Sequence, residues 1–135
     1  MIAFLDANAL IYQLEGAEPF ASQVRGALAA VHRAHPGLVL SMSRLSWLEC
    51  RVGPMKSGDK ALLQRYDTFF AHPDLVWVEL TPTVVELATH IRAVHGLKTP
   101  DCLQAACCLQ LGTDHVFVTG DAAFRRVSGL QVLLV

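Results

Sequence analysis

Apolar residues along this chain fall in short unbroken runs, separated by longer stretches in which apolar and polar residues alternate with a helical period. IAFL (2–5), LVL (38–40), LVWVEL (75–80), HVFVT (115–119) and QVLLV (131–135) have the length and the β-branched or aromatic content of strands. Between them the pattern predicts helices over 8–15, 19–34, 43–52, 58–71, 83–95, 101–111 and 121–127. Strands that are apolar on both sides and alternate with helices belong to a parallel sheet covered on both faces. The prediction is an α/β fold of three layers, with a central, mostly parallel sheet of about five strands.

Punctuation supports these boundaries. Thr99-Pro100 fits an N-cap and first helical residue, Ser57 fits a cap for the long helix after it, and Gly96 and Gly112 fit the ends of the helices before them. No repeat, low-complexity tract or linker divides residues 1–135, so one domain is expected.

Composition adds a partner to this picture. The 135 residues are 53% hydrophobic and 17% charged, and a chain of this length buries roughly two thirds of its unfolded surface. The apolar faces of helices 19–34 and 58–71 exceed what one small sheet can cover, which predicts a homodimer and a protein partner. No run approaches the roughly 20 apolar residues of a membrane span. Asp6 also interrupts the first apolar run, against a signal peptide, so the expected location is the cytoplasm. The cysteines, Cys50, Cys102, Cys107 and Cys108, lack paired CxxC spacing and are expected to be reduced, buried thiols.

The net charge of −1 argues against a phosphate-binding surface unless the acids are unevenly spread. With four acids gathered in a single pit, the eleven cations would outnumber the eight acids left, and eight of those cations are arginines suited to phosphate.

Such a gathering is plausible from position. Ligands of open α/β sheets bind beyond the carboxyl ends of the strands. Asp6 follows the first strand and Asp121 follows HVFVTG; Asp101 opens a helix, and Glu49 lies in the helix that follows LVLS. Asp6, Asp101 and Asp121 each have an ordinary reading as helix caps or dipole partners. Glu49 does not, because SMSRLSWLECRV otherwise reads as a buried helix and a lone buried carboxylate is costly. Carboxylates sharing a cleft repel unless protonated or bridged by metal, and oxygen-only ligands suit Mg²⁺ or Mn²⁺. Asn8 could bond the carboxylates or a scissile phosphate without adding charge, and Thr119 could orient Asp121.

With FLDANALIY, SRLSWLECRVGP, TPDCLQAACCLQLG and VFVTGDAAF in order, nearly the whole chain resembles the PIN-domain ribonucleases, and within them the VapC toxins of toxin–antitoxin pairs. The resemblance puts Asp6, Glu49, Asp101 and Asp121 in the family's four acidic positions. TGD stands where TND or TRD also occurs, and little chain follows the last strand. The resemblance implies a PIN-like fold and an endoribonuclease that inhibits translation by cleaving tRNA or rRNA, commonly as a dimer held by a VapB-like antitoxin. The expected chemistry is water activated by Mg²⁺, with Mn²⁺ able to substitute, held by Asp6, Asp101 and Asp121 and assisted by Glu49.

Two other functions compete. A haloacid dehalogenase-type phosphatase also places an Asp after its first strand, but needs a second Asp where Asn8 stands. A catalytically inactive PIN-like module that binds RNA or a partner would be marked by a lost acid, and all four are present. His32 and His35 lack a third ligand and read as a solvated helix end. Trp47 and Trp77 read as core or interface residues rather than base-stacking platforms. Arg125 and Arg126 fit an RNA grip or a solvated helix end equally well.

Overall fold

The computed structural model describes residues 1–135. Five strands, β1 (Ile2–Leu5), β2 (Val39–Ser43), β3 (Val76–Val78), β4 (His115–Thr119) and β5 (Val132–Leu134), form one sheet in the order β3-β2-β1-β4-β5. Every neighbouring pair is parallel. Six α-helices connect or flank them: α1 (Ala7–Glu15), α2 (Phe20–Ala34), α3 (Arg44–Ser57), α4 (Lys60–Phe70), α5 (Pro82–His95) and α6 (Thr99–Leu109). A short 3₁₀ helix, Ala122–Arg126, follows β4.

Alternation along the strands separates the layers. Phe4 and Phe117 point to one face, where they meet Val84, Ala88 and Ile91 of α5, Ala105 and Ala106 of α6, and Phe124. Their neighbours Leu5 and Val118 point to the other, where Leu10 of α1, Val24 of α2, Cys50 of α3 and Tyr66 of α4 cover them. A period of two in the strands thus feeds two cores from one sheet.

All five predicted strands are present, with LVWVEL and QVLLV trimmed to three residues each at the sheet's two edges. The helix predicted over 43–52 continues to Ser57, passing through Pro54, whose missing N–H costs one helical bond without ending the helix. Ser57 is therefore the last residue of α3 rather than a cap for the next helix. Gly58 closes α3 at φ 73°, and Asp59 caps α4 by accepting from the Leu62 N–H at 3.0 Å. Thr99 is likewise inside α6, with Lys98 at the cap position and no side-chain capping bond. Gly96 ends α5 as expected, whereas α6 ends at Leu109 and Gly112 lies in the turn beyond it.

The surplus apolar surface does not lie where the sequence places it. Among large hydrophobic side chains, α2 exposes Phe20 and α4 exposes none; the exposed stripe is Leu48, Val52 and Met55 on α3, with Val85 and Val94 on α5. The inner faces of α2 and α4 are used up in the second core by Val24, Tyr66 and Phe70. No helix is long and apolar enough to cross a membrane.

Candidate active site

β1 and β4 are adjacent and parallel, so the residues that leave their carboxyl ends emerge side by side. Asp6 is the first residue past β1. Its backbone N–H still donates to Val118 O at 2.9 Å, while its side chain caps α1, Oδ1 accepting from the Ala7 N–H at 2.9 Å. The second carboxylate oxygen, Oδ2, accepts from the Thr119 hydroxyl at 2.8 Å. Asp6 is thus a cap and more than a cap, since a capping bond needs only one oxygen.

Asp6 is buried, and burial pushes its carboxyl up to about 7; the Thr119 hydroxyl opposes that rise, and Glu49 and Asp101 add to it through like charge. Glu49 is also raised, first by burial, with the amide of Gln104 pulling it down and Asp101 pushing it up. In Asp101 the rise comes from burial and then from Asp121, against a smaller lowering by Lys98. Each acid therefore feels a neighbour: Asp6 faces Glu49 and Asp101, Glu49 faces Asp101, and Asp101 faces Asp121. The four carboxylates expected from the sequence are thus linked by like charge in a chain at the carboxyl edge of the sheet, with Asp121 next to Asp101.

The smaller polar residues act differently from expectation. Thr119 does not orient the Asp121 carboxylate; its hydroxyl donates to Asp6 and accepts from the Asp121 backbone N–H at 3.1 Å. Asp121 spends Oδ1 on the Ala123 N–H at 2.9 Å, capping the 3₁₀ helix. Asn8 bonds no carboxylate: its Oδ1 accepts from the Gly120 N–H at 3.2 Å, which pins the β4 turn to α1. Tyr12, one turn further along α1, lies so close to Gly120 that a Cβ there would meet its ring at 2.9 Å. Glycine at the middle of TGD is what lets that ring lie over the turn.

Two residues of the cleft escaped the sequence reading. Gln104 of α6 donates through Nε2 to Glu49 Oε1 at 2.8 Å and to Ser46 Oγ at 2.9 Å, joining α6 to α3. Their signal is faint: a glutamine one turn after Asp101 within the otherwise apolar CLQAACCL, and a serine one turn before Glu49.

The remaining candidates lie elsewhere. Trp47 stacks on Phe70 at 5.3 Å between ring centres and meets Trp77 edge-on at 5.8 Å, with Arg44 over Trp77 and Arg51 over Trp47, so both tryptophans belong to an aromatic cluster. His32 and His35 are exposed at the end of α2, and Arg125 and Arg126 are exposed on the 3₁₀ helix. All four cysteines are buried free thiols.

No three histidine, cysteine or carboxylate side chains close into a cage around a point where an ion would sit. The donors nevertheless fit a hard divalent cation: all are oxygens, and three of the carboxyls are raised first by burial and then by a neighbouring acid.

Residues 3–130 match the family model of the PIN domain, and the chain belongs to that family. Its fold is also that of solved toxin–antitoxin assemblies. It superposes on a chain of VapBC2 from Rickettsia felis, bound to a DNA fragment from its promoter, with a TM-score of 0.78 at 18% identity, covering 100% of this chain and 99% of that one. For VapBC-1 of nontypeable Haemophilus influenzae the TM-score is 0.75 at 20% identity, with 99% and 98% covered. A toxin–antitoxin complex from Klebsiella pneumoniae gives 0.71 at 23% identity, with 97% and 95% covered. No curated protein matches by sequence.

Proposed function

We propose that this chain is a divalent-metal-dependent endoribonuclease and the toxin of a toxin–antitoxin pair. The observation that carries the reading is the gathering of acids itself, in which Asp6, Glu49 and Asp101 are each raised by burial and then by a neighbouring carboxylate, Asp121 in the case of Asp101. A fold gains no stability from repelling carboxylates, so their convergence is accounted for by a cation and the phosphate it attracts.

Asp6, Asp101 and Asp121 are the residues that would hold Mg²⁺, with Mn²⁺ as a substitute. Bound there, such an ion supplies Lewis acidity to water and to the scissile phosphate. The Thr119 hydroxyl opposes the rise of the Asp6 carboxyl and fixes its Oδ2, while the Ala7 N–H fixes its other oxygen. Glu49, set back on α3, orients the attacking water and receives its proton. The new bond joins water oxygen to phosphorus, the bond to the 3′ oxygen breaks, and that oxygen takes up a proton. The products are a 5′-phosphate and a 3′-hydroxyl on tRNA or rRNA.

The partner reading is supported by the fold neighbours, which were solved as toxin–antitoxin complexes, and by the exposed α3 stripe. A VapB-like antitoxin would cover apolar surface and send a cationic or aromatic segment toward the acids, and the toxin itself would be a homodimer. The test is purified protein incubated with total tRNA and rRNA, with Mg²⁺ or EDTA, followed by mapping of the ends. Cleavage that needs Mg²⁺ and leaves 5′-phosphates is expected. Cleavage that persists in EDTA overturns the metal dependence, and intact RNA under every condition leaves a binding module in place of a nuclease.

A further inference from the structure

Glu49 is carried on a helix, and nothing in α3 itself fixes its carboxylate. The side chain has several rotatable bonds and is only half-buried. Its one hydrogen bond comes from α6, from Gln104 Nε2 at 2.8 Å. The same nitrogen donates to Ser46 Oγ at 2.9 Å, and Ser46 is wholly buried one turn before Glu49 on α3. Both protons of the amide are therefore committed, and its plane is set by the rigid partner, Ser46, while the flexible partner, Glu49, follows.

The other end of the amide is unmatched. Gln104 is 1% exposed, and its Oε1 has no hydrogen-bond partner. A buried carbonyl without a donor destabilises a fold, and an apolar side chain of the same length would avoid that loss. Turning the amide over would place Oε1 against the Glu49 carboxylate and lose both donated bonds, so the orphaned oxygen is the consequence of presenting NH₂ to Glu49. Gln104 also lies one turn after Asp101 on the same helix, so α6 delivers one acid to the cleft and a donor that aims a second.

We propose that Gln104, anchored on Ser46, is a positioning residue for the acid cleft that holds the Glu49 carboxylate toward Asp101. This rests on the nuclease reading for its kinetic consequence, but the tether itself is a property of the resting protein. Methionine at 104 fills the same space and cannot donate, and it also removes the orphaned oxygen. Gln104→Met, which trades the orphaned oxygen for a Ser46 hydroxyl without its partner, should therefore melt close to wild type, while kcat on RNA falls about ten- to a hundredfold with KM little changed, the usual cost of losing the partner that orients an active-site ligand.

The experiment is a double-mutant cycle in full-length protein, with Gln104→Met made in wild type and in Glu49→Gln. A positioning role predicts the kcat loss in wild type and no further loss in Glu49→Gln. Equal loss in both backgrounds, or no loss in wild type, overturns it. A readout independent of cleavage is the side-chain NH₂ of Gln104 in ¹⁵N-labelled protein: its proton signals should be slow to exchange and should move on Glu49→Gln more than on Asp121→Asn. Failure of that pattern overturns the tether even if RNA is cleaved, whereas wild-type protein that shows the pattern but leaves all RNA intact refutes the nuclease reading and keeps the tether.

Discussion

The Thr119 hydroxyl donates to Asp6 Oδ2 at 2.8 Å across 113 positions of sequence, tying the end of β4 to the end of β1. It is among the factors that lower the Asp6 carboxyl, second in size only to the burial that raises it. Thr119→Val keeps the shape and removes the donor. At pH 8 the loss in stability through Asp6 is limited to about 1 kcal/mol, because a group with a pKa of about 7 can escape by taking up a proton at about that cost. That corresponds to a melting point lower by about 3–6 °C. At pH 5, where Asp6 is already protonated, the difference should shrink to the cost of depriving the Asp121 N–H of its acceptor, the Thr119 hydroxyl. Thermal melts at both pH values check this, and Thr119→Ser should restore the wild-type values.

The metal-free protein should itself lose stability as pH rises. Asp6 has a folded pKa of about 7 against 3.8 unfolded, so its contribution is fully present below 3.8 and is lost as pH climbs through about 7. Glu49 and Asp101 are shifted in the same direction. The lowered acids, Glu18, Glu79 and Asp114, are exposed and lose their contribution only as pH falls through the ordinary carboxylate range, below this window. A melting point in EDTA that is higher at pH 5 than at pH 8 is expected, with the slope flattened in Asp6→Asn. An unchanged slope in that variant would assign the effect to other groups.

Magnesium should act in the opposite sense. At about 10 mM ion and a dissociation constant of about 1 mM, binding to the native state adds about 1.4 kcal/mol, or about 3–6 °C for a domain of this size. Asp6→Asn and Asp101→Asn should abolish cleavage, melt as high as wild type or higher without metal, and lose most of that rise. Identical Mg²⁺ shifts in all three proteins would reduce these aspartates to helix caps.

The α3 stripe gives a test of association. Leu48 and Val52 are 60% and 52% exposed and make no claim on either core. Leu48→Asp with Val52→Asp should leave the melting point of the isolated chain within about 1–2 °C, as surface changes do. It should also abolish the complex with a co-expressed VapB-like antitoxin, or the homodimer, in light scattering. A complex of unchanged mass would move the partner surface elsewhere, with the exposed valines of α5 next in line.

What the sequence reveals here is what depends on near neighbours. Strand and helix positions follow from periodicity, and the three acids at strand ends and a helix start follow from the rule that α/β sites open at the carboxyl edge. Glu49 is legible as the one acid of its helix, although that helix, expected to be buried, also carries Arg44, Arg51 and Lys56 and buries only Ser46, Cys50 and Pro54. The partners of these acids are not legible, since Thr119 meets Asp6 and Gln104 meets Glu49 only through the tertiary fold. The capping errors have a local cause: Ser57 and Asp59 are both good caps two residues apart, and the choice fell to Gly58, whose left-handed backbone ends α3 between them.

The strand order has a consequence for how the protein comes into being. β1, the earliest strand of this sheet in sequence, lies at its centre, and one of its two neighbours is β4, more than a hundred residues later. Until β4 and the turn after it have emerged from the ribosome, Asp6 has no Thr119 and Asp101 has no Asp121. The acids carried by the earlier elements therefore wait on the last-but-one strand of the sheet, and the site is joined into a unit only once β4 has paired with β1.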